Sequence, residues 1–141
     1  MENITVVIVT YQTPIKIILD CLKSIDKNVK VLIIENSDTF KNKEQILSQF
    51  KNAKILCTGK NLGYGAGNNF GILEAKTDYI LILNPDVICD KNFFSNTLEV
   101  IKETENFSII GCQYLYDKTF MPAGFFDKIK NKEFTYNFKN N

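Results

Sequence analysis

Tyr79-Ile80-Leu81-Ile82-Leu83-Asn84-Pro85-Asp86-Val87 is a run of five apolar residues that stops at a turn sequence. Apolar character without alternation is the pattern of a strand buried on both faces, as a central strand of a parallel sheet must be. Pro85 brings no N–H to a ladder, so the strand is expected to end there. In open α/β sheets ligands gather beyond the carboxyl ends of strands, and this strand ends in a carboxylate, Asp86.

Working back from that strand, Ile4-Thr5-Val6-Val7-Ile8-Val9 is β-branched throughout and reads as the first buried strand. Thr13-Pro14 then supplies an N-cap and a proline at the first helical position. Ile15, Ile18, Leu22 and Ile25 follow at helical spacing, for a helix of roughly four turns. Val31 to Ile34 is a second strand, ending in Glu35-Asn36-Ser37-Asp38, and a polar helix with Ile46, Leu47 and Phe50 on its apolar side comes next. Ala53 to Cys57 is a short third strand. Gly59 to Gly71 reads as a Gly- and Asn-rich loop running into a helix that ends near Ala75.

Beyond the opening strand, a helix over about Asn92 to Glu103 turns Phe93, Phe94, Leu98 and Ile101 inward, and Phe107 to Cys112 reads as a further strand. Strands alternate with helices to that point, which predicts a parallel sheet with right-handed crossovers. After Gln113 the aromatics Phe120, Phe125, Phe126, Phe134, Tyr136 and Phe138 follow no period, and Lys128 to Asn141 carries four Lys against one Glu. An irregular C-terminal segment over 113–141, frayed at its end, is expected within a single domain spanning 1–141.

Composition removes several function classes. A net charge of +1, from 17 lysines and 16 acids with no arginine, gives no basic face for nucleic acid. Without arginine, a phosphate must be held by backbone N–H groups, Lys or a metal. The absence of histidine excludes histidine-based triads, metal sites and general bases. Cys21, Cys57, Cys89 and Cys112 are too far apart in sequence for a zinc site and read as reduced core thiols. Neither a secretory leader nor a membrane span is recognisable at the N-terminus, so a cytoplasmic location is expected.

Three strand ends carry polar groups of the kind that a nucleotide diphosphate and its cation require: Thr10-Tyr11, Glu35-Asn36 and Asn84-Pro85-Asp86. Glu35 could cap a turn or accept the N3–H of a pyrimidine, with Tyr11 stacking on the ring. Asn-Pro-Asp could be a β-turn alone, or could set a carboxylate against Mg²⁺ or Mn²⁺ that also binds substrate phosphates. Asn61-Leu62-Gly63-Tyr64-Gly65-Ala66-Gly67-Asn68-Asn69 fails the dinucleotide and P-loop fingerprints. It remains either a flexible connection or a helix start whose N–H groups and Asn side chains meet an anion or a sugar.

In their order and spacing, V-V-I-V-T-Y, I-I-E-N-S, N-L-G-Y-G-A-G-N-N-F-G-I and Y-I-L-I-L-N-P-D-V resemble the nucleotide-sugar half of family 2 glycosyltransferases. The fourth motif is similar to the rhamnosyltransferase-like branch, where Asn-Pro-Asp stands for the Asp-x-Asp of other members. The resemblance covers Ile4 to Val87, with weaker similarity to about Cys112. It implies an α/β, Rossmann-like GT-A fold, with a mostly parallel sheet flanked by helices, here cut short. By position, it implies that Thr10 and Tyr11 line the base pocket, with Glu35 replacing the usual Asp. Asn61, Gly63 and Asn68 would border the ribose and donor sugar, and Asp86 would ligate Mg²⁺ or Mn²⁺ on the diphosphate.

The implied donor is a UDP- or dTDP-sugar and the implied acceptor a glycan or lipid-linked sugar of a bacterial-type surface polysaccharide. A site at the inner face of the membrane, or on a partner chain through the C-terminal segment, is compatible with it. Gln12 stands where the family more often has Asn, and Asp38 displaces the Ser of the second motif. The family's catalytic base lies well beyond the metal motif. Of the acids after Cys112, Asp127 and Glu133 do not align with it, so the base is unassigned. A non-catalytic module that binds a nucleotide sugar is the alternative of a different class, and a sugar-phosphate nucleotidyltransferase fits less well because T-Y-Q-T-P replaces its Gly-rich basic loop.

Overall fold

Every residue of Ile4–Thr10 (β1) is buried, and β1, not the strand that leads to Asp86, is an inner strand of the sheet. The computed structural model describes residues 3–104, 107–112, 114–116, 119–121, 125–127 and 136–137. Its first compact unit, Met1–Asn96, continues with α1 (Ile15–Ser24), β2 (Lys30–Glu35), α2 (Lys43–Gln49), β3 (Ala53–Cys57), α3 (Tyr64–Glu74) and β4 (Tyr79–Ile82). The four strands form a parallel sheet in the order β3-β2-β1-β4. Thr10 lies level with Glu35, and Glu35 with Cys57, so the expected polar strand ends do share one edge of the sheet.

Val7, Val9, Leu32 and Ile34 form a buried cluster, with Leu56, Phe70 and Ile80 packed against it. The alternate residues Val6, Ile8, Val31 and Ile33 are equally buried, as are Ile18, Cys21 and Leu22 of α1. β1 and β2 therefore bury both sides of the pleat, which is why their sequences show no alternation. α3 lies close on β1 and β2 because Gly71 has no Cβ: one there would run into Val7 Cγ1 and come within 3.1 Å of Ile34 Cγ1.

β4 corrects the opening expectation. Among the described residues it pairs with β1 alone, its residues are half-buried, and Ile82 is 46% exposed. An apolar run records hydrophobicity and not the strand's rank in the sheet. The ladder also ends before Pro85: Leu83 N still donates to Val7 O at 3.0 Å, and Asn84 then opens a β-turn closed by Val87 N on Asn84 O at 3.2 Å. Pro85 and Asp86 are the two central residues of that turn, the places where Pro and Asp are well accommodated.

Three local expectations also change. Thr13 does not cap α1; its hydroxyl accepts from Tyr11 N at 3.3 Å, while Pro14 O receives Ile17 N and Ile18 N at the helix start. α1 has 10 residues and stops at Ile25, where Asp26 begins a turn through Val29 N to Asp26 O at 2.9 Å. The Gly-rich stretch is helical from Tyr64 onward, because Gly63 takes a φ of 83° and starts α3 inside it. Of the four cysteines, all free, Cys21 and Cys89 are buried as expected, but Cys57 and Cys112 are exposed. Cys57 ends β3, the strand at the other end of the sheet, where only Ile55 is buried.

α4 (Phe93–Glu103) forms over the expected range, with Phe94 buried and Phe93 edge-on to it at 5.2 Å between ring centres. The second compact unit is Thr97–Asn141. There β5 (Phe107–Ile110) does not extend the parallel sheet. It pairs antiparallel with β8 (Phe125–Asp127), which pairs with β9 (Tyr136–Asn137), while β6 (Tyr114–Tyr116) and β7 (Thr119–Met121) pair with each other. Only the connection from β6 to β7 is too short for a crossover and so must close an antiparallel pair. These two- and three-residue strands stand where irregular chain is expected; strands so short show no period. Lys128 to Phe134 lie outside the described residues, and with them Glu133.

Candidate functional site

The edge formed by the ends of β1 and β2 is held by Glu35, which is 1% exposed. Thr10 Oγ1 donates to Glu35 Oε2 at 2.6 Å, Ser37 Oγ donates to Oε1 at 2.7 Å, and Gln12 N approaches Oε1 at 3.5 Å. A buried carboxylate is tolerable only when its lone pairs are used in this way. The bonds fix the elbow at Tyr11-Gln12, where Gln12 adopts a φ of 50° and Tyr11 is 49% exposed. A positive φ costs an L-residue energy, and Asn meets it more readily than Gln.

Asn36, 2% exposed, ties this edge to the Gly-rich segment. Its N donates to Thr10 O at 2.7 Å, and its Nδ2 donates to Asn61 Oδ1 at 3.0 Å and to Gly63 O at 3.1 Å. Its Oδ1 accepts Leu62 N at 3.0 Å and sits 3.1 Å from the Thr58 hydroxyl. Asn61 Oδ1 also receives Gly63 N at 2.8 Å. The amide of Asn36 thus uses its full bonding capacity on its own chain. Thr10, Glu35, Asn36, Asn61 and Gly63 are brought together as one hydrogen-bonded junction.

Asn68, on the second turn of α3, is 5% exposed. Its Nδ2 donates to Tyr64 O at 3.1 Å, and its Oδ1 is a buried acceptor with no partner among the described residues. Such a group is costly to leave unpaired, by about 1–3 kcal/mol, and marks a place for a donor that the chain does not supply.

Asp86 is exposed on its turn. Asn84 makes a hydrogen bond that the sequence does not foretell: Tyr64 Oη donates to Asn84 Oδ1 at 2.6 Å. No cue in Tyr64 itself announces this, since its spacing to Asn84 becomes meaningful only once α3 and β4 lie beside β1. The Cys21 thiol faces Asn84 O at 3.8 Å. Burial, and then the neighbouring Cys89 and Asp86, push the Cys21 thiol up to about 12, so it is a neutral packing group and no nucleophile. Among the described residues no three Cys, Asp or Glu side chains gather as a metal cage. Asp86 is the one carboxylate that Mg²⁺ or Mn²⁺ would meet at this turn; such ions take one or two carboxylates and complete their shell with water and substrate phosphate.

A parallel sheet in the order β3-β2-β1-β4, with its polar groups at the carboxyl ends, is a Rossmann-like α/β arrangement, and its structural neighbours make it a GT-A-type fold. Solved structures agree. The crystal structure of S. aureus TarS 1-349 superposes with a TM-score of 0.62 at 17% identity, over 80% of this chain and 42% of that one. A TarS 1-349 structure in complex with UDP superposes with a TM-score of 0.61 at 20% identity, over 72% of this chain and 32% of that one. The sequence profile of Glycosyl transferase family 2 matches residues 5–140, and the chain belongs to that family.

Two curated relatives are Glycosyltransferase GlyG of Streptococcus pneumoniae serotype 4 (strain ATCC BAA-334 / TIGR4), 26% identical over 84% of this chain, and dTDP-rhamnosyl transferase RfbF of Shigella flexneri, 28% identical over 78%. The chain spans 41% and 38% of their respective lengths. No helix among the described residues is long and apolar enough to cross a membrane.

Proposed function

We propose that this chain holds the nucleotide diphosphate-sugar donor of a glycosyltransferase reaction, with UDP or dTDP as the nucleotide and a glycan or lipid-linked sugar of a surface polysaccharide as acceptor. The observation that carries the reading is the junction in which Glu35 and Asn36 bring the ends of β1 and β2 to the start of α3. Membership of family 2 supports it, as do the UDP bound to TarS and the dTDP-rhamnosyl activity in the name of RfbF.

In this reading the base stacks on Tyr11 above the Thr10–Glu35 pair. Glu35 Oε1 takes the base N3–H in place of Gln12 N, its most distant partner at 3.5 Å. Asn61 and Gly63 shape the rim beside the ribose, and Asn68 Oδ1 accepts a hydroxyl of the ribose or donor sugar, which removes its unpaired state. Asn84 and Asp86 face the diphosphate, and Asp86 would hold Mg²⁺ or Mn²⁺ there. When bound, that cation supplies charge stabilisation to the departing diphosphate. Tyr11 and the Glu35 network exclude water from the base and orient the donor before an acceptor hydroxyl arrives. We assign the group that deprotonates the acceptor to none of the described residues.

The test is a panel of UDP-, dTDP- and GDP-sugars with Mg²⁺ or Mn²⁺, followed by donor hydrolysis, by transfer, and by thermal shift with the free nucleotide diphosphates. A nucleotide at 100 times its Kd should stabilise the fold by about 2.7 kcal/mol. Binding without turnover makes the chain a nucleotide-sugar-binding module. No binding to any member of the panel removes the donor-site reading.

A further inference from the structure

Tyr64 and Asn84 belong to the same compact unit, Met1–Asn96, and come from different elements. Tyr64 is the first residue of α3 and is anchored through Gly63, whose carbonyl receives Asn36 Nδ2 at 3.1 Å. Asn84 opens the β-turn that carries Asp86, and its carbonyl closes that turn on Val87 N at 3.2 Å. Among the described hydrogen bonds, Tyr64 Oη to Asn84 Oδ1, at 2.6 Å, is the side-chain link between the Gly-rich segment and this turn.

Both side chains are exposed, Tyr64 by 54%, and a neutral bond in that setting adds little to folding. Its consequence is directional. An amide has one acceptor and one donor end, and here the acceptor end is taken by the tyrosine. Asn84 Nδ2 is left as a donor without a partner among the described residues, one residue from Pro85 and two from Asp86. In a chain without arginine, a neutral N–H donor beside the carboxylate is a means of meeting phosphate oxygen that the metal does not cover.

We infer that Tyr64 is a positioning residue: its hydroxyl orients the Asn84 amide so that Nδ2 donates to the diphosphate, and it steadies the turn that presents Asp86. The inference rests on the donor-site reading above and adds a residue and a role to it. Through Tyr64, the buried junction at β2 sets the geometry of the exposed turn after β4.

Tyr64→Phe keeps the ring and removes only the hydroxyl. In the nucleotide-free full chain, the Asn84 side-chain ¹⁵N–¹H signals should move while the melting temperature stays nearly constant; unmoved signals overturn the inference. With UDP and Mn²⁺, the same substitution should weaken UDP binding about 5- to 10-fold, the worth of one oriented hydrogen bond. Asn84→Ala should weaken it at least as much, and adding Tyr64→Phe to it should cost less than about twofold more, because the two act as one unit.

A full second loss in the Asn84→Ala background means that Tyr64 acts on the ligand by another route, which also overturns the inference. An unsubstituted chain that binds no UDP sinks the donor-site reading and the inference together. A chain that binds UDP equally well with and without the hydroxyl sinks the inference alone.

Discussion

The ends of β2 and β4 each place an acid in a polar cluster, and they are built in opposite ways. At β2, Glu35 and Asn36 are buried and their bonding groups are taken up by Thr10, Ser37, Asn61, Leu62 and Gly63. At β4, Asp86 is exposed on a turn steadied by one backbone bond and by Tyr64. Asn36 is saturated by its own chain and Glu35 keeps for a base only the site that Gln12 N fills from 3.5 Å, so this region is a nearly fixed floor, whereas the exposed turn has spare capacity to meet a ligand. The first region therefore supplies shape and the second supplies charge.

The sharpest way to break this contrast is Asn36→Ala. It leaves the Gly63 carbonyl, the Leu62 N–H and one acceptor site of Asn61 without their buried partner, and urea denaturation should show a loss of about 2–4 kcal/mol. A loss below about 1 kcal/mol would mean that the junction is no more structural than an ordinary surface cluster. Nucleotide binding should fall with it, since the start of α3 is no longer held to β2.

An effect confined to alkaline pH tests the buried side of the β4 turn. The Cys21 thiol is raised from an ordinary 9.0 to about 12, so the folded chain keeps a proton that the unfolded chain releases at lower pH. Its contribution to stability is complete below pH 9 and is lost as pH rises from 9 toward 12, at a limiting slope of about 1.4 kcal/mol per pH unit. Lysines and tyrosines titrate in the same window, so the measurement is the difference between the unsubstituted chain and Cys21→Ala. The unsubstituted chain should lose stability more steeply. Parallel curves would show that Cys21 is not shielded behind Asn84.

What was legible in the sequence follows the same division. β1 and β2 can be read from their β-branched runs because burial on both faces imposes that composition, and the polar residues closing them are then placed by the strand ends alone. The rank of β4 in the sheet is not legible, because its run Tyr79 to Leu83 is as apolar as theirs. Nor is the start of α3 within a stretch of glycines, since that start is fixed by Asn36, a residue far away in sequence. The partner of β5 is hidden for a related reason: Phe107 to Ile110 encodes a strand but not the direction of the strand it meets. Tyr64 escapes notice because its role depends on an element brought beside it by folding.

Gln12 sits at the elbow with a φ of 50°, a backbone conformation that Asn tolerates better than Gln. Gln12→Asn should therefore raise stability by about 0.5–1 kcal/mol, part of the cost of an L-residue in the left-handed region. Gln12→Val should lower it, because a β-branched side chain suffers most there. If both substitutions are neutral, the elbow over Glu35 is not strained, and the β2 region is looser than its hydrogen bonds imply.

Asp86→Ala should have the smallest effect on folding, within about 0.5 kcal/mol, because an exposed turn residue outside the core has little to lose. Its effect belongs to binding: the part of the UDP thermal shift that depends on Mn²⁺ should disappear, while the metal-independent part, set at the β2 end, should persist. This pairing of outcomes separates the two regions most directly. If the metal-dependent shift survives, the cation is held elsewhere and the exposed turn loses its assigned role. If both parts vanish together, the β2 junction does not bind the base by itself, and the division of labour between shape and charge gives way to one cooperative site.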